Sequence, residues 1–113
     1  MKMIRAIIRP ECEQEVVLAL ERIGVFALTK FQVTGRGRQG GAEVGSMHYA
    51  ELAKAMLMVV VDDEKADAVV TTVADAAYTG FPGDGRIFIS SVEKSIRLRT
   101  GEIQSAGDGA GIG

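Results

Sequence analysis

Three short stretches of this chain bring together residue types that can hold an anion. In GRGRQG, residues 35–40, glycines alternate with Arg36 and Arg38. Glycine lets backbone N–H groups approach a phosphate closely, and each arginine adds a guanidinium. In TGFPGDGRIF, residues 79–88, Gly80, Gly83, Asp84 and Gly85 lead directly into Arg86 at the start of an apolar run. In IRLRT, residues 96–100, Arg97 and Arg99 flank Leu98. An extended backbone has period two, which sends both guanidiniums to one face. There they repel unless an anion lies between them, and the guanidinium fork fits phosphate oxygens bidentately. A well-made bond of that kind contributes roughly 1.5–3 kcal/mol.

Each stretch also has a plainer reading. GRGRQG matches G-x-G-x-x-G literally, but a dinucleotide fold needs that string to open a helix inside a parallel βαβ unit. Here it runs into further glycine and polar residues, which excludes that fold, and no Walker A string occurs. Without a ligand the first stretch is a hairpin loop, the second a tight turn and the third a solvated edge. His48, beside Tyr49, has no Cys or acid at ligand spacing, so it builds no expected metal site. Cys12 falls at a helix start, where a thiol pKa can drop, but no base is near it in sequence and it reads as filler. Met56 and Met58 read as core. No Ser-His-Asp set or paired carboxylates point to catalysis, so no enzyme is expected.

The elements that position these stretches follow from patterning. Residues 1–9 are Ile-rich and close at Pro10, as a first strand. Residues 11–23 carry Val16, Val17, Leu20 and Ile23 at spacings of three and four. Acids fill the opening turns of this segment and Gly24 ends it, which predicts a helix. Residues 27–34 read as a second strand. From Gly35 the composition shifts to glycine and polar residues with no apolar period, so a long flexible loop over about 36–53 is expected. Residues 55–61, AMLMVVV, form an unbroken apolar run of strand length. A helix over 62–78 follows, with Asp62 or Asp63 as N-cap and Ala66, Val69, Val70, Val73 and Ala77 as its buried stripe. RIFISSV is a fourth strand and SIRLRT a short extended piece; residues 104–113 have the composition of a flexible tail. The order β-α-β-β-α-β predicts an α+β ferredoxin-like sandwich, with sheet edges that an oligomer can cover.

Composition bounds the rest. The 113 residues suit one domain, here 1–103 plus the tail. Lys and Arg number 13 against 15 Asp and Glu, so nothing electrostatic favours nucleic acid or an anionic membrane, and any anion site must be local. The single cysteine excludes an intramolecular disulfide and fits a reducing, cytoplasmic setting. MKMIRAIIRPE is too short and too charged for a leader's apolar region, and no window approaches 18 apolar residues, so no membrane insertion is expected.

The order of the three stretches is more specific than any one of them. TGFPGDGRIFISSVEKSIRLRTGE, residues 79–102, closely resembles the C-terminal signature of the PII nitrogen-regulatory family. MKMIRAIIRPE and TGRGRQGG, residues 34–41, resemble the same family at matching places. The resemblance implies a homotrimer binding ATP or ADP in clefts between subunits. It assigns Gly35, Gly37, Arg38 and Gln39 to the phosphates, and Thr29 and the backbone of Val60 to the adenine. Gly83, Asp84, Gly85 and Arg86 would form the second wall, with Arg97 and Arg99 reaching the phosphates. It also implies 2-oxoglutarate at Gln39, Gly40, Gly41 and Lys54, bridged to ATP by a Mg²⁺ that Gln39 ligates.

Three departures from the family pattern stand out. The segment between Gly37 and Lys54 is shorter than in typical members. Tyr49 sits too near the following strand to match the tyrosine that many bacterial members uridylylate. Met58 stands where the family often has a glutamate paired with the basic residue at position 86. The short segment with AEVGSMHYAELAKAMLMVVVDDE resembles the subfamily encoded beside nitrogenase genes. By that resemblance the expected function is sensing ATP/ADP and 2-oxoglutarate to inhibit dinitrogenase, together with a second PII paralogue. An ammonium transporter or a metabolic enzyme is the alternative target. An acylphosphatase-like enzyme, using arginine and backbone amides on phosphate, is the alternative of another class.

Overall fold

The computed structural model describes residues 1–38 and 49–105. Its elements are β1 (Lys2–Ile8), α1 (Glu13–Arg22), β2 (Thr29–Arg38), β3 (Tyr49–Val61), α2 (Asp63–Ala77), β4 (Gly85–Ser91), β5 (Lys94–Ile96) and β6 (Ile103–Ser105). The first four strands form one antiparallel sheet in the order β2-β3-β1-β4, and β5 and β6 form a separate hairpin. This is the ferredoxin-like α+β arrangement expected from the β-α-β-β-α-β order. No helix among the described residues is long and apolar enough to cross a membrane.

Local chemistry accounts for the element ends. Pro10 opens one 3₁₀ turn before α1, where its missing N–H costs nothing. At the other end Gly24 takes φ +83° and donates to Glu21 O, while Val25 N–H donates to Leu20 O, each at 2.9 Å. That is the paired bonding of a Schellman stop, and Val25 is buried behind it. α2 starts after Asp62, whose side chain makes no cap bond; the Met1 ammonium instead meets Asp63 Oδ1 at 3.0 Å.

The core lies between the helices and one face of the sheet. Ile4 and Ile8 on β1, Val16 and Leu20 on α1, and Val69 and Val73 on α2 are all fully buried there. Burying each such side chain contributes roughly 1.5–3 kcal/mol. Ala55, Leu57, Val59 and Val61 complete this layer from β3. The register sends Met3, Arg5, Ile7, Phe31, Lys54, Met56, Met58, Val60, Arg86 and Phe88 to the opposite, helix-free face. Phe31 and Phe88 are 40% and 47% exposed on that face.

Two expected boundaries change. Residues 36–38 and 49–53 are not loop: β2 and β3 stay paired over ten residue pairs, from Thr29–Met58 to Arg38–Tyr49. Each existing pair aligns the next N–H and C=O, so the ladder runs on through Gly35 and Gly37 although glycine has poor strand propensity. Residues 39–48 lie outside the described residues. Gln104 and Ser105, expected in the tail, pair as β6 with Ser95 and Lys94.

Candidate functional site

The turn between α2 and β4 is built around one carboxylate. Asp84 accepts hydrogen bonds from the Thr79 hydroxyl, from Thr79 N–H at 2.8 Å and from Gly80 N–H at 3.0 Å. Arg9, just past β1, adds its Nε to Asp84 at 3.2 Å and its Nη2 to the Pro82 carbonyl at 2.7 Å. Lys54 Nζ, from β3, donates to the Gly83 carbonyl at 2.7 Å. The Thr79 hydroxyl and amide, the Gly80 amide and the Arg9 guanidinium hold the Asp84 carboxyl far below the usual carboxylate range. The ring of contacts fixes residues 79–85 against two strands of the sheet.

Gly85 then delivers the chain onto β4. Its φ is +117°, and a Cβ there would stand 1.8 Å from the carbonyl oxygen of Ile7. Only glycine permits this close pairing with Ile8. Arg86 follows on the helix-free face, opposite Ile7, and its side chain makes no hydrogen bond or ion pair with any described residue. On the helix side, the turn borders a largely apolar notch of about 270 Å³, lined by Ile8, Val73, Ala77, Tyr78 and Ile87 together with Asp84, Gly85 and Arg86.

The expected site residues fall into three groups. Lys54, Gly83, Asp84, Gly85 and Arg86 come together at one end of the sheet. Gly35 lies on β2 opposite Leu52, two pairs beyond Val33–Lys54, and the ladder continues through Gly37 and Arg38. Thr29 and Val60 lie further along, opposite Met58 and Met3 respectively. Gln39, Gly40 and Gly41, and with them the expected Mg²⁺ ligand, lie outside the described residues. Among those described, no three His, Cys, Asp or Glu side chains gather as a metal cluster.

Arg97 and Arg99 form the third group, and the expected geometry is corrected. They are not in an extended segment with both guanidiniums on one face. They belong to the turn that joins β5 to β6, where Gly101 N–H donates to Arg97 O at 2.7 Å and Arg97 N–H to Glu102 O at 2.9 Å. The Thr100 hydroxyl accepts from Glu102 N–H and helps close this turn, which the alternation rule could not anticipate. Arg97 reaches Glu102 at 3.9 Å, a weak and exposed pair. No hydrogen bond or ion pair among the described residues joins either arginine to residues 79–86. Leu98 between them is 97% exposed.

Arg9 and Thr79 escaped the sequence reading as site residues. In the sequence Arg9 is only one of the charges of MKMIRAIIRPE, and Thr79 only the first residue of a glycine turn. The available signal was the spacing T-x-x-x-x-D across the turn, since an Asp five residues after a Thr can fold back onto its hydroxyl and amide.

Comparison with known proteins agrees with this architecture. The family described as "Nitrogen regulatory protein P-II" matches residues 1–102. A Methanothermobacter marburgensis protein named "Nitrogen fixation nifHD region GlnB-like protein 1" is 51% identical over 102 residues, covering 90% of this chain and 97% of that one. A Methanosarcina barkeri protein named "Nitrogen fixation nifHD2 region GlnB-like protein 1" is 48% identical with the same coverage. Among solved structures, Arabidopsis thaliana PII bound to citrate superposes with a TM-score of 0.74 at 33% identity, covering 91% of this chain and 84% of that one. With its ferredoxin-like sheet and the Arg9–Asp84–Lys54 turn, the chain belongs to the P-II nitrogen regulatory protein family.

Proposed function

We propose that this protein is a cytoplasmic sensor that binds ATP or ADP and 2-oxoglutarate and, according to what is bound, inhibits dinitrogenase. The observation that carries the reading is the preorganised turn 79–85, which leads into Arg86, a side chain without a partner among the described residues. Asp84, Arg9 and Lys54 hold the turn in place, and Arg86, at a helix-free-face position of β4, is available to a phosphate. Arg97 and Arg99 supply further guanidiniums, but from the hairpin turn with no contact to this group. A second copy is thus the natural source of the missing half, in keeping with a homotrimer that closes each cleft between subunits. The half-buried apolar side chains Met56, Met58 and Val60 on the helix-free face favour the same assembly, because strands covered on both faces read as unbroken apolar runs.

Within this reading, Gly35, Gly37, Arg38 and Gln39 serve the phosphates, and Thr29 and Val60 serve the base. Lys54 and the 39–41 segment take 2-oxoglutarate. Mg²⁺ suits such a site because it draws most of its oxygens from phosphate and small carboxylate ligands, with Gln39 as its protein ligand. The relatives named for nitrogen-fixation regions favour dinitrogenase over an ammonium transporter as target. Their shared number 1 supports a companion paralogue, and hence a mixed assembly. Calorimetry with Mg-ATP, with and without 2-oxoglutarate, tests the sensor. ATP is expected to bind alone and 2-oxoglutarate only in its presence; equal 2-oxoglutarate binding without ATP, or no ATP binding, sinks the reading.

A further inference from the structure

Arg5 is the one exposed position of β1. The register sets it opposite Met58 on β3 and opposite Phe88 on β4. Arg86 lies on β4 one diagonal step away, on the same helix-free face. Diagonal neighbours are roughly 7–8 Å apart at the backbone, within the joint reach of two arginine side chains. Among the described residues this face carries no Asp or Glu, and its remaining cation, Lys54, already donates to Gly83. Neither the Arg5 nor the Arg86 side chain makes a hydrogen bond or ion pair with a described residue. Two guanidiniums side by side on an apolar surface repel, and the repulsion grows as water is excluded. Met58, directly across from Arg5, supplies no carboxylate to relieve it.

We propose that Arg5 and Arg86 together form a two-guanidinium site for a multiply charged phosphate. Arg86 enters from the reading given above, and Arg5 is added to it as a second fork from the neighbouring strand. The phosphate comes either from the terminal groups of a bound nucleotide or as a free inorganic ion. Both sources offer oxygens on more than one side, as bridging between two forks requires.

Calorimetry on the whole chain with Mg-ATP, inorganic tripolyphosphate and inorganic phosphate tests this, using R5Q, R5K and M58E beside the unaltered protein. R5Q is expected to weaken tripolyphosphate about tenfold or more, and R5K to recover part of the loss. M58E, which keeps Arg5 but gives it a carboxylate across the strand, is expected to weaken binding as R5Q does. ATP and tripolyphosphate weakening together identify the nucleotide as the source. Inorganic phosphate weakening while ATP is unchanged identifies a separate ion. Unchanged affinity for all three probes in R5Q overturns the proposal. So does loss of assembly in R5Q with anion affinity intact, which would give Arg5 to a carboxylate of a second copy. If the unaltered protein binds tripolyphosphate through Arg5 but not ATP, the nucleotide reading fails and this site stands.

Discussion

The Nζ of Lys54 on β3 lies 2.7 Å from the carbonyl oxygen of Gly83, which fastens the long β2–β3 ladder to the turn that introduces Arg86. The two residues are 29 positions apart, and their bond couples two segments that the resemblance assigns to different ligands. A carboxylate that recruits Lys54 must draw it from Gly83, so binding on the ladder side and order in the turn are linked through this ammonium. Replacing Lys54 by Met removes the bond and keeps the aliphatic stem. The exposed geometry limits the loss to about 1 kcal/mol. Amide exchange at Thr79 and Gly80, whose N–H groups report the turn's integrity, is expected to quicken about fivefold. No change would mean that Asp84 and Arg9 hold the turn alone.

Asp84 predicts an unusual resistance to acid. Its folded carboxyl is held far below the usual range while the unfolded value is ordinary. Its stabilisation is therefore fully present above the unfolded pKa of about 4 and is lost only as pH falls on through the lower folded value. Proton NMR shifts of the Thr79 and Gly80 amides are expected to stay constant from pH 7 to about pH 4, and to move only below that. A titration step centred near pH 4 would show the carboxylate to be ordinary. In D84N the acid-side step is expected to disappear from both amides.

Gly85→Ala should be the most damaging single-methyl change in the turn. The added Cβ meets backbone, the Ile7 carbonyl, rather than a side chain that can swing away, and φ is in the left-handed region as well. A loss of at least about 2 kcal/mol is expected in denaturant unfolding. Gly24→Ala is the control: its φ is also positive, but a Cβ there meets nothing within 4 Å. A smaller loss, about 1 kcal/mol, is expected for that variant.

Replacing Arg97 and Arg99 together by Ala is expected to abolish ATP binding while circular dichroism and the oligomer size stay unchanged. Both side chains are exposed, and the one ion pair they make among the described residues, Arg97 with Glu102, is long and solvated. Unchanged ATP affinity would remove the hairpin turn from the site.

Phe88→Glu tests whether the helix-free face is covered. The ring is 47% exposed and lies opposite Arg5 and two positions from Arg86 on the helix-free face, so a charge there alters no buried core. Light scattering is expected to show the oligomer dissociating in this variant, with secondary structure retained. An unaltered mass would place the interface elsewhere.

Much of the frame was legible because it rests on burial periodicity and on helix stops. α1 announced itself through Val16, Leu20 and Gly24, and the core of β3 through a run that is apolar on both faces. The outer half of β3 was not legible, since Glu51, Leu52, Ala53 and Lys54 favour helix and are held extended only by pairing with β2. The β5–β6 hairpin was missed because three-residue strands give too short a pattern for alternation to register. For the site, the glycines and Asp84 were readable as turn chemistry. Arg9 was not, because its role depends on where the end of β1 falls relative to a turn 73 residues later.

The ten-pair ladder of β2 and β3 also has a mechanical meaning. Two strands bonded residue by residue resist sliding, because a slip breaks many bonds at once. On its other side β3 is held by β1 only from Ala55 onward, so the stretch from Val33–Lys54 to Arg38–Tyr49 is a two-stranded arm with its fulcrum near the Gln32–Ala55 pair. At about 3.3 Å per residue this arm is roughly 20 Å long, and tilting its base by about 5° carries the Arg38–Tyr49 end through about 2 Å. Lys54 grips the arm at its base. Releasing or tightening that grip is a small displacement near the fulcrum that the arm enlarges at its tip, where the chain enters residues 39–48.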